Sequence, residues 1–162
     1  MSASNDLPPC GLYRTIKAIG GLEAGRLVYF HNHGNPGPGL YFPERWAHNR
    51  AIWSERGNTV PPDFDPRSIQ SLPAEGFYRV KRSFHCCSKQ CVKFEPEQLV
   101  QLGYNGSGKG LLFIPTLKGG AITAPDRGTI IDDEAFDNIV ALIFPEAEAR
   151  DDLSMPRGIV IH

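Results

Sequence analysis

The sequence has no long hydrophobic run, few cysteines and a formal net charge of only −1. No apolar stretch approaches the roughly 18 residues that a membrane-spanning helix needs, so we expect no membrane partner. Residues 1–9 lack a basic segment followed by an apolar one, so we expect no signal peptide and a cytoplasmic location. Three of the four cysteines lie close together in a chain that we expect to be cytosolic, which is not typical of a disulfide framework.

The composition favours a folded domain with many turns. Hydrophobic residues make up 41% of the 162 residues, which is enough for a core and argues against general disorder. The chain also contains 17 glycines and 14 prolines, which favour tight turns and short strands over a helical bundle. We therefore expect a mainly β protein.

Several short motifs recur in the same order along the chain, which indicates a tandem duplication. The first pair is Gly11-Leu12-Tyr13-Arg14 and Gly76-Phe77-Tyr78-Arg79, which are 65 residues apart, and the later pairs are 70 to 72 apart. The increase of about seven residues predicts an insertion in the second copy, and residues 85–91 have that length and position.

The fold class that we predict is a tandem duplication of two small SH3-like open barrels with one or two short helices. The predicted organisation is an N-terminal extension (1–9), a first repeat (10–75), a second repeat (76–146) with a Cys-rich insertion (85–91), and an acidic tail (147–162). The segments 43–56 and 132–143 are the candidate helices, since each begins with capping or Pro signals and ends before Gly or Pro. The short connection between the copies predicts that they pack as one rigid body.

The insertion carries the residues most typical of a metal site. Cys86, Cys87 and Cys91 have the spacing of zinc ligands, and His85 is a candidate fourth ligand for a structural zinc. Cys10, or His31 and His33 two residues apart, are alternative ligands. Reduced thiols without a metal, a disulfide and a redox or catalytic thiol are the other interpretations.

Three functions are compatible with these residues. The first is a non-catalytic protein–protein interaction module, an adaptor or subunit, that binds through Trp46 and Trp53 and through the loop 31–39, which contains His31 and His33. The alternative is a nucleic-acid-binding module, with or without zinc, that uses the basic residues Arg79, Lys81, Arg82, Lys89 and Lys93. The third is a small metal-dependent enzyme at the histidines and cysteines.

Charge is distributed unevenly between the second copy and the C-terminus. Residues 74–131 contain eight Lys or Arg against four Asp or Glu, whereas residues 132–162 contain two Arg against eight acidic residues. The apolar end of the chain, residues 158–161, predicts a strand that docks on a sheet edge of this chain or of a partner.

Overall fold

The computed structural model describes residues 7–145, and it is mainly β with antiparallel sheets. The predicted strand docking of residues 158–161 and the whole predicted acidic tail, residues 147–162, lie outside the described residues. The first half of the chain contains seven strands and a short 3₁₀ helix. They are β1 (Gly11–Thr15), β2 (Leu27–His31), β3 (Gly39–Tyr41), β4 (Pro43–Ala47), β5 (Arg50–Trp53), β6 (Asn58–Thr59), η1 (Pro66–Ser68) and β7 (Ile69–Ser71).

Up to residue 145, the second half contains nine strands and a second 3₁₀ helix. They are β8 (Gly76–Val80), β9 (Phe84–His85), β10 (Lys93–Phe94), β11 (Leu99–Tyr104), β12 (Gly110–Phe113), β13 (Thr116–Lys118), β14 (Ala121–Thr123), β15 (Thr129–Ile130), η2 (Asp133–Asn138) and β16 (Ile139–Ala141). In the described part of the chain, no helix is both long and apolar enough to cross a membrane.

Each half forms a five-stranded sheet, and the strands of the two sheets follow the same order. The order is β6-β3-β2-β1-β7 in the first half and β15-β12-β11-β8-β16 in the second. The register also agrees: Tyr13 pairs with Val28 and Ser71, and Tyr78 pairs with Val100 and Ala141. Over residues 7–145 the outer strands of each sheet do not pair with each other, so both sheets remain open.

Side-chain contacts recur at equivalent positions of the two sheets. Tyr13 donates a hydrogen bond to the carbonyl of Pro9 at 2.7 Å, and Tyr78 donates one to the carbonyl of Ala74 at 2.6 Å. A β-carbon at Gly57 would lie 2.9 Å from the ring of Tyr41, and one at Gly128 would lie 2.9 Å from the ring of Phe113. Each glycine therefore allows an aromatic ring, from β3 in the first half and from β12 in the second, to lie against the backbone just before β6 or β15.

The segment 43–56 does not form the predicted helix. It forms the hairpin of β4 and β5, whose turn residues His48 and Asn49 have φ angles of 52° and 66°. Two successive positive φ angles are the signature of a type I′ turn, which matches the twist of a hairpin. The hairpin is held by the second half, because Asn49 donates hydrogen bonds to Gln101 Oε1 and the Pro125 carbonyl. Long-range contacts here override the local helix signals.

The segment 132–143 contains a helix for only half of its length. η2 ends at Asn138, and Ile139 to Ala141 continue as the edge strand β16, which pairs with β8. β-branched residues such as Ile139 and Val140 favour a strand, and the pairing with β8 satisfies their backbone groups. η1 and β7 form the same pair of elements in the first half.

The connection between the first two strands is longer in the second half. Eleven residues separate β1 from β2, and eighteen separate β8 from β11. The longer connection contains β9 and β10, whose Phe84 and Phe94 rings stack at 4.9 Å with an interplanar angle of 16°. Both rings are buried, so this connection is anchored in the core.

The two halves share one of the two hydrophobic clusters. The larger cluster combines Leu12 and Leu27 of the first sheet with Val80, Leu102 and other residues of the second sheet, whereas the smaller one belongs to the first half. Polar contacts reinforce the junction. Arg14 forms an ion pair with Asp133 at 2.7 Å and donates to the Gly108 carbonyl at 2.8 Å.

Candidate functional site

The end of β2 brings together three residues that are typical metal ligands. In the antiparallel register of β1 and β2, Gly11 pairs with Phe30, so the preceding residue, Cys10, lies opposite His31. His33 follows two residues later. Within residues 7–145, Cys10, His31 and His33 form the one group of at least three His, Cys, Asp or Glu side chains whose ligand atoms lie within 4.8 Å of one another. We call this group the Cys10 cluster.

Both imidazoles of the Cys10 cluster direct Nδ1 toward the thiol. Cys10 Sγ lies 3.5 Å from His31 Nδ1 and 3.9 Å from His33 Nδ1. The two rings are neighbours, with centroids 4.0 Å apart. Cys10 and His33 are exposed and His31 is half-buried, so a solute can reach the three ligand atoms from solvent.

Asn32 fixes the geometry of the Cys10 cluster. Its backbone N–H donates to Cys10 Sγ at 3.3 Å, and its Oδ1 accepts hydrogen bonds from the Cys10 thiol at 3.2 Å and from His33 Nδ1 at 2.8 Å. Its Nδ2 donates to the Pro8 carbonyl at 3.3 Å, which sets the orientation of the amide. A catalytic Cys–His pair needs the third group on the other ring nitrogen. Here the amide and the thiol both contact Nδ1 of His33, so His33 does not have the arrangement of a catalytic base with a third group on its other nitrogen.

The three cysteines of the predicted insertion, Cys86, Cys87 and Cys91, form a second cluster of thiols. Cys86 is buried and Cys91 is exposed, and the Sγ atoms of Cys86 and Cys87 are 3.6 Å apart. A hydrogen bond from the backbone N–H of Lys89 lowers the pKa of Cys87, and the Cys86 thiol lowers it further. The charge of Cys87 raises the pKa of Cys91. His85 lies on β9, and its ring nitrogens do not form a close set of metal-ligand atoms with these thiols. A structural zinc at His85, Cys86, Cys87 and Cys91 therefore stays a prediction.

The predicted basic surface is interleaved with carboxylates. Arg79 forms an ion pair with Glu97, and Lys93 forms one with Glu95. Arg82 donates a hydrogen bond to the Asp137 carbonyl. Lys81 and Lys89 are exposed. The carboxylates offset part of the positive potential that a nucleic acid would require.

The two tryptophans lie on the same hairpin but line different depressions. Trp46 is 42% exposed and lines a depression of about 280 Å³ at the junction of the halves. We call this depression the Trp46 surface, and its main residues are Trp46, Asn49, Tyr104, Leu111, Phe113 and Asp126. Trp53 is half-buried against Tyr29 and lines another cavity, of about 400 Å³. His33 lines a third. The structure therefore divides the predicted binding residues among separate places.

Sequence reasoning missed most of the Trp46 surface and the role of Asn32. Tyr104, Leu111 and Phe113 belong to the second half, so only the packing of the halves brings them to Trp46. The sequence predicts Cys10 as a possible ligand, but the register of β1 and β2 is needed to place it opposite His31. Comparisons with protein-family models, with curated proteins and with solved structures gave no match.

Proposed function

We propose that this chain is a non-catalytic protein-interaction module, an adaptor or a subunit of a larger complex, built from two SH3-like copies. The shared strand order, the shared register and the 3₁₀ helix before the last strand of each sheet support a duplication. The partner would be another protein chain that docks on the Trp46 surface. The observation that carries this proposal is a large aromatic side chain held rigidly at an exposed apolar depression.

The indole of Trp46 is fixed before any partner binds. Its Nε1 donates a hydrogen bond to the Tyr104 carbonyl at 2.8 Å, and Tyr104 is buried. Ordering a side chain at an interface costs free energy, so a ring that is already ordered keeps more of its contact energy for binding. Tryptophan is also enriched among the residues that dominate interface energies.

The surroundings of Trp46 indicate the chemistry of the partner. Phe113 and Asp126 both line the depression, and the hairpin of β13 and β14 connects them along the chain. In that hairpin Leu117 and Ile122 pair across the strands and are 74% and 64% exposed. Asp126 forms no ion pair among the described residues. These features suit a peptide segment with an apolar anchor next to a Lys or Arg.

Nucleic acid is the alternative partner. The basic residues Arg79, Lys81 and Arg82 lie along or just after β8, but carboxylates neutralise part of this surface. Phe144, which is 63% exposed, packs against Phe77 of β8, but Glu97 and Glu95 form ion pairs with Arg79 and Lys93 and so reduce the positive charge available to a phosphate backbone. We therefore rank nucleic acid behind a protein partner.

The test is selection of a random peptide library displayed on phage against the immobilised full chain. We expect enriched peptides with an apolar residue beside a basic one, and binding that Trp46→Ala and Asp126→Lys each reduce at least about tenfold. Asp63→Lys is the matched control, because Asp63 is exposed in the first half and does not line the Trp46 surface. Melting curves establish that each variant is folded.

Two results would overturn the proposal. One is the absence of any enriched peptide, and the other is enrichment of peptides that bind the Trp46 and Asp126 variants as tightly as the parent chain. Binding of a fluorescent DNA duplex that is lost in the Arg79→Ala/Lys81→Ala/Arg82→Ala variant would support the alternative partner instead.

A further inference from the structure

We propose that the Cys10 cluster binds a divalent transition metal ion, Zn²⁺, through Cys10 Sγ and the Nδ1 atoms of His31 and His33. This site is independent of the Trp46 surface and differs from the metal site that the sequence predicts in the insertion. It would have three protein ligands and one position open to solvent.

The observed distances match the edges of a tetrahedral zinc site. Zinc binds thiolate sulfur at about 2.3 Å and imidazole nitrogen at about 2.0–2.1 Å, so a tetrahedral angle places sulfur and nitrogen about 3.6 Å apart. Cys10 Sγ lies 3.5 Å from His31 Nδ1 and 3.9 Å from His33 Nδ1. On these two sulfur–nitrogen edges, the ligand atoms need only small movements to receive an ion.

The backbone holds two of the three ligands in place. His31 is the last residue of β2 and pairs with Gly39 of β3, and Cys10 directly precedes the paired residue Gly11. A site on paired strands is more precisely positioned than one on an isolated loop. The equivalent positions in the second half are Glu75 and Gly103, so the duplicated scaffold carries these ligands in the first half only.

A backbone donor helps to hold the sulfur in place. The N–H of Asn32 donates to Cys10 Sγ at 3.3 Å. On binding, the thiol would lose its proton to solvent, and each Nδ1 would bind through its lone pair. Asn32 Oδ1 is 2.8 Å from His33 Nδ1, a hydrogen-bonding distance. We expect the metal to replace that contact. Because the protein supplies three ligands, a fourth position stays open for water or an exogenous donor.

Zinc is the ion that this ligand set favours. Soft thiolate ligands select zinc and monovalent copper over magnesium and calcium, and imidazole suits zinc well. Three protein ligands with one open position are typical of zinc sites that exchange their fourth ligand, whereas structural zinc sites use four.

The test is a titration of the reduced, metal-free full chain with Co²⁺ under anaerobic conditions, followed by displacement with Zn²⁺. Tetrahedral Co²⁺ with a thiolate ligand gives intense visible bands and a near-ultraviolet charge-transfer band. We expect one equivalent to bind at this site, Zn²⁺ to displace it, and Cys10→Ala and His33→Ala each to weaken it at least about 100-fold. Asn32→Ala removes the Oδ1 contacts that the metal would replace and keeps the backbone N–H donor to Cys10 Sγ, so it should bind Co²⁺ at least as tightly as the parent chain.

The insertion supplies the controls that make the result decisive. His85→Ala and the double variant Cys87→Ala/Cys91→Ala should keep the Co²⁺ spectrum of the Cys10 cluster. Two bound equivalents, of which Cys10→Ala removes one, would also support the site. A spectrum that survives in Cys10→Ala and disappears in the insertion variant would overturn the proposal, as would no stoichiometric binding. Circular dichroism and melting curves show whether the exposed-site variants Cys10→Ala and His33→Ala are folded.

Discussion

Arg14 and Arg79 occupy the same position in the two sheets, yet their surroundings differ. Arg14 on β1 is 12% exposed, forms an ion pair with Asp133 of the second half and donates to the Gly108 carbonyl. Arg79 on β8 is 43% exposed and pairs with Glu97, which is 75% exposed. The outer face of the first sheet has become an internal junction, whereas the equivalent face of the second sheet remains at the surface. Two sheets with the same strand order thus differ in exposure because different segments cover them.

The same asymmetry explains where the candidate sites lie. His31 and Cys10 of the first half face solvent as potential ligands. Glu75, the residue of the second half that is equivalent to Cys10, is partly buried and accepts a hydrogen bond from the backbone N–H of Ala51 at 2.9 Å. Burial raises the pKa of Glu75. The second half contributes its β11 to the junction and to the Trp46 surface. The Cys10 cluster therefore belongs to the first half alone, whereas the Trp46 surface combines residues of both halves.

The largest effect is expected where the halves are closest. A β-carbon at Gly103 of β11 would lie 2.5 Å from the backbone oxygen of Asn49, which a paired hairpin cannot easily move. Gly103→Ala should therefore lower the free energy of unfolding by about 3 kcal/mol, measured by urea denaturation. Gly106→Ala is the control, since its β-carbon would meet only the Trp46 ring at 3.8 Å. Equal midpoints for the two variants would show that the hairpin does not rest on β11.

A matched pair of glycines tests the equivalence of the halves. Gly57→Ala and Gly128→Ala each place a methyl group 2.9 Å from an aromatic ring at the same position of the sheet. Both variants should lose about 2 kcal/mol of stability, since overpacking of a closely packed ring has this cost. Thermal unfolding monitored by circular dichroism measures both. A loss confined to one variant would mean that the two sheets do not share this packing.

The two arginines should respond very differently to truncation. Arg14→Ala removes a charge-assisted bond at a mostly buried junction and leaves the Gly108 carbonyl without its donor, so we expect a loss of about 1.5 kcal/mol. Arg79→Ala removes an exposed ion pair and should cost less than about 0.5 kcal/mol. Urea denaturation of both variants gives the comparison. Similar losses would contradict the view that only the first sheet is covered.

Much of the sheet architecture follows from the sequence, because the internal comparison aligns strands that share a register. The sequence comparison also pairs Gly39-Leu40 with Gly110-Leu111, 71 residues away, but the strand register makes Leu40 equivalent to Leu112. Although the sequence comparison pairs Ile139 with Ile69, the first residue of β7, the sequence predicts a helix over the whole segment 132–143, and a helix is present only at Asp133–Asn138. Its apolar spacing at i, i+3 and i+4 suits a helix, but the edge of β8 selects a strand.

The sites were less predictable because they depend on contacts between distant segments. His31 and His33 were candidates from their spacing, and Cys10 joins them only through the register of β1 and β2. Trp46 was a candidate for a surface, but Tyr104 and Phe113 reach it through the packing of the halves. No local pattern encodes that packing, since it rests on single contacts such as the hydrogen bonds of Asn49.

The pH dependence of stability should report the junction of the halves. The hydrogen bond from Arg14 lowers the pKa of Asp133 in the folded chain, so Asp133 contributes stability above its ordinary pKa and loses it as the pH falls through the lowered one. Asp133→Asn should therefore be about 1 kcal/mol less stable at neutral pH, and the difference should shrink below about pH 4. Glu97→Gln, at the exposed pair, is the control. A difference that is independent of pH would contradict this origin.

The last prediction concerns the alkylation rates of the thiols in the longer connection of the second half, and it involves no change in stability. Cys91 is exposed and Cys87 is half-buried, so accessibility alone predicts faster alkylation of Cys91. The backbone N–H of Lys89 lowers the pKa of Cys87, and the charge of Cys87 raises the pKa of Cys91. Because the thiolate is the reacting form, Cys87 should be alkylated first and at lower pH.

Iodoacetamide labelling of the reduced chain across a pH series, with peptide mapping by mass spectrometry, measures the order. The unfolded chain in urea is the control, in which the two rates should converge, and faster labelling of Cys91 in the folded chain at every pH would show that exposure outweighs these hydrogen bonds.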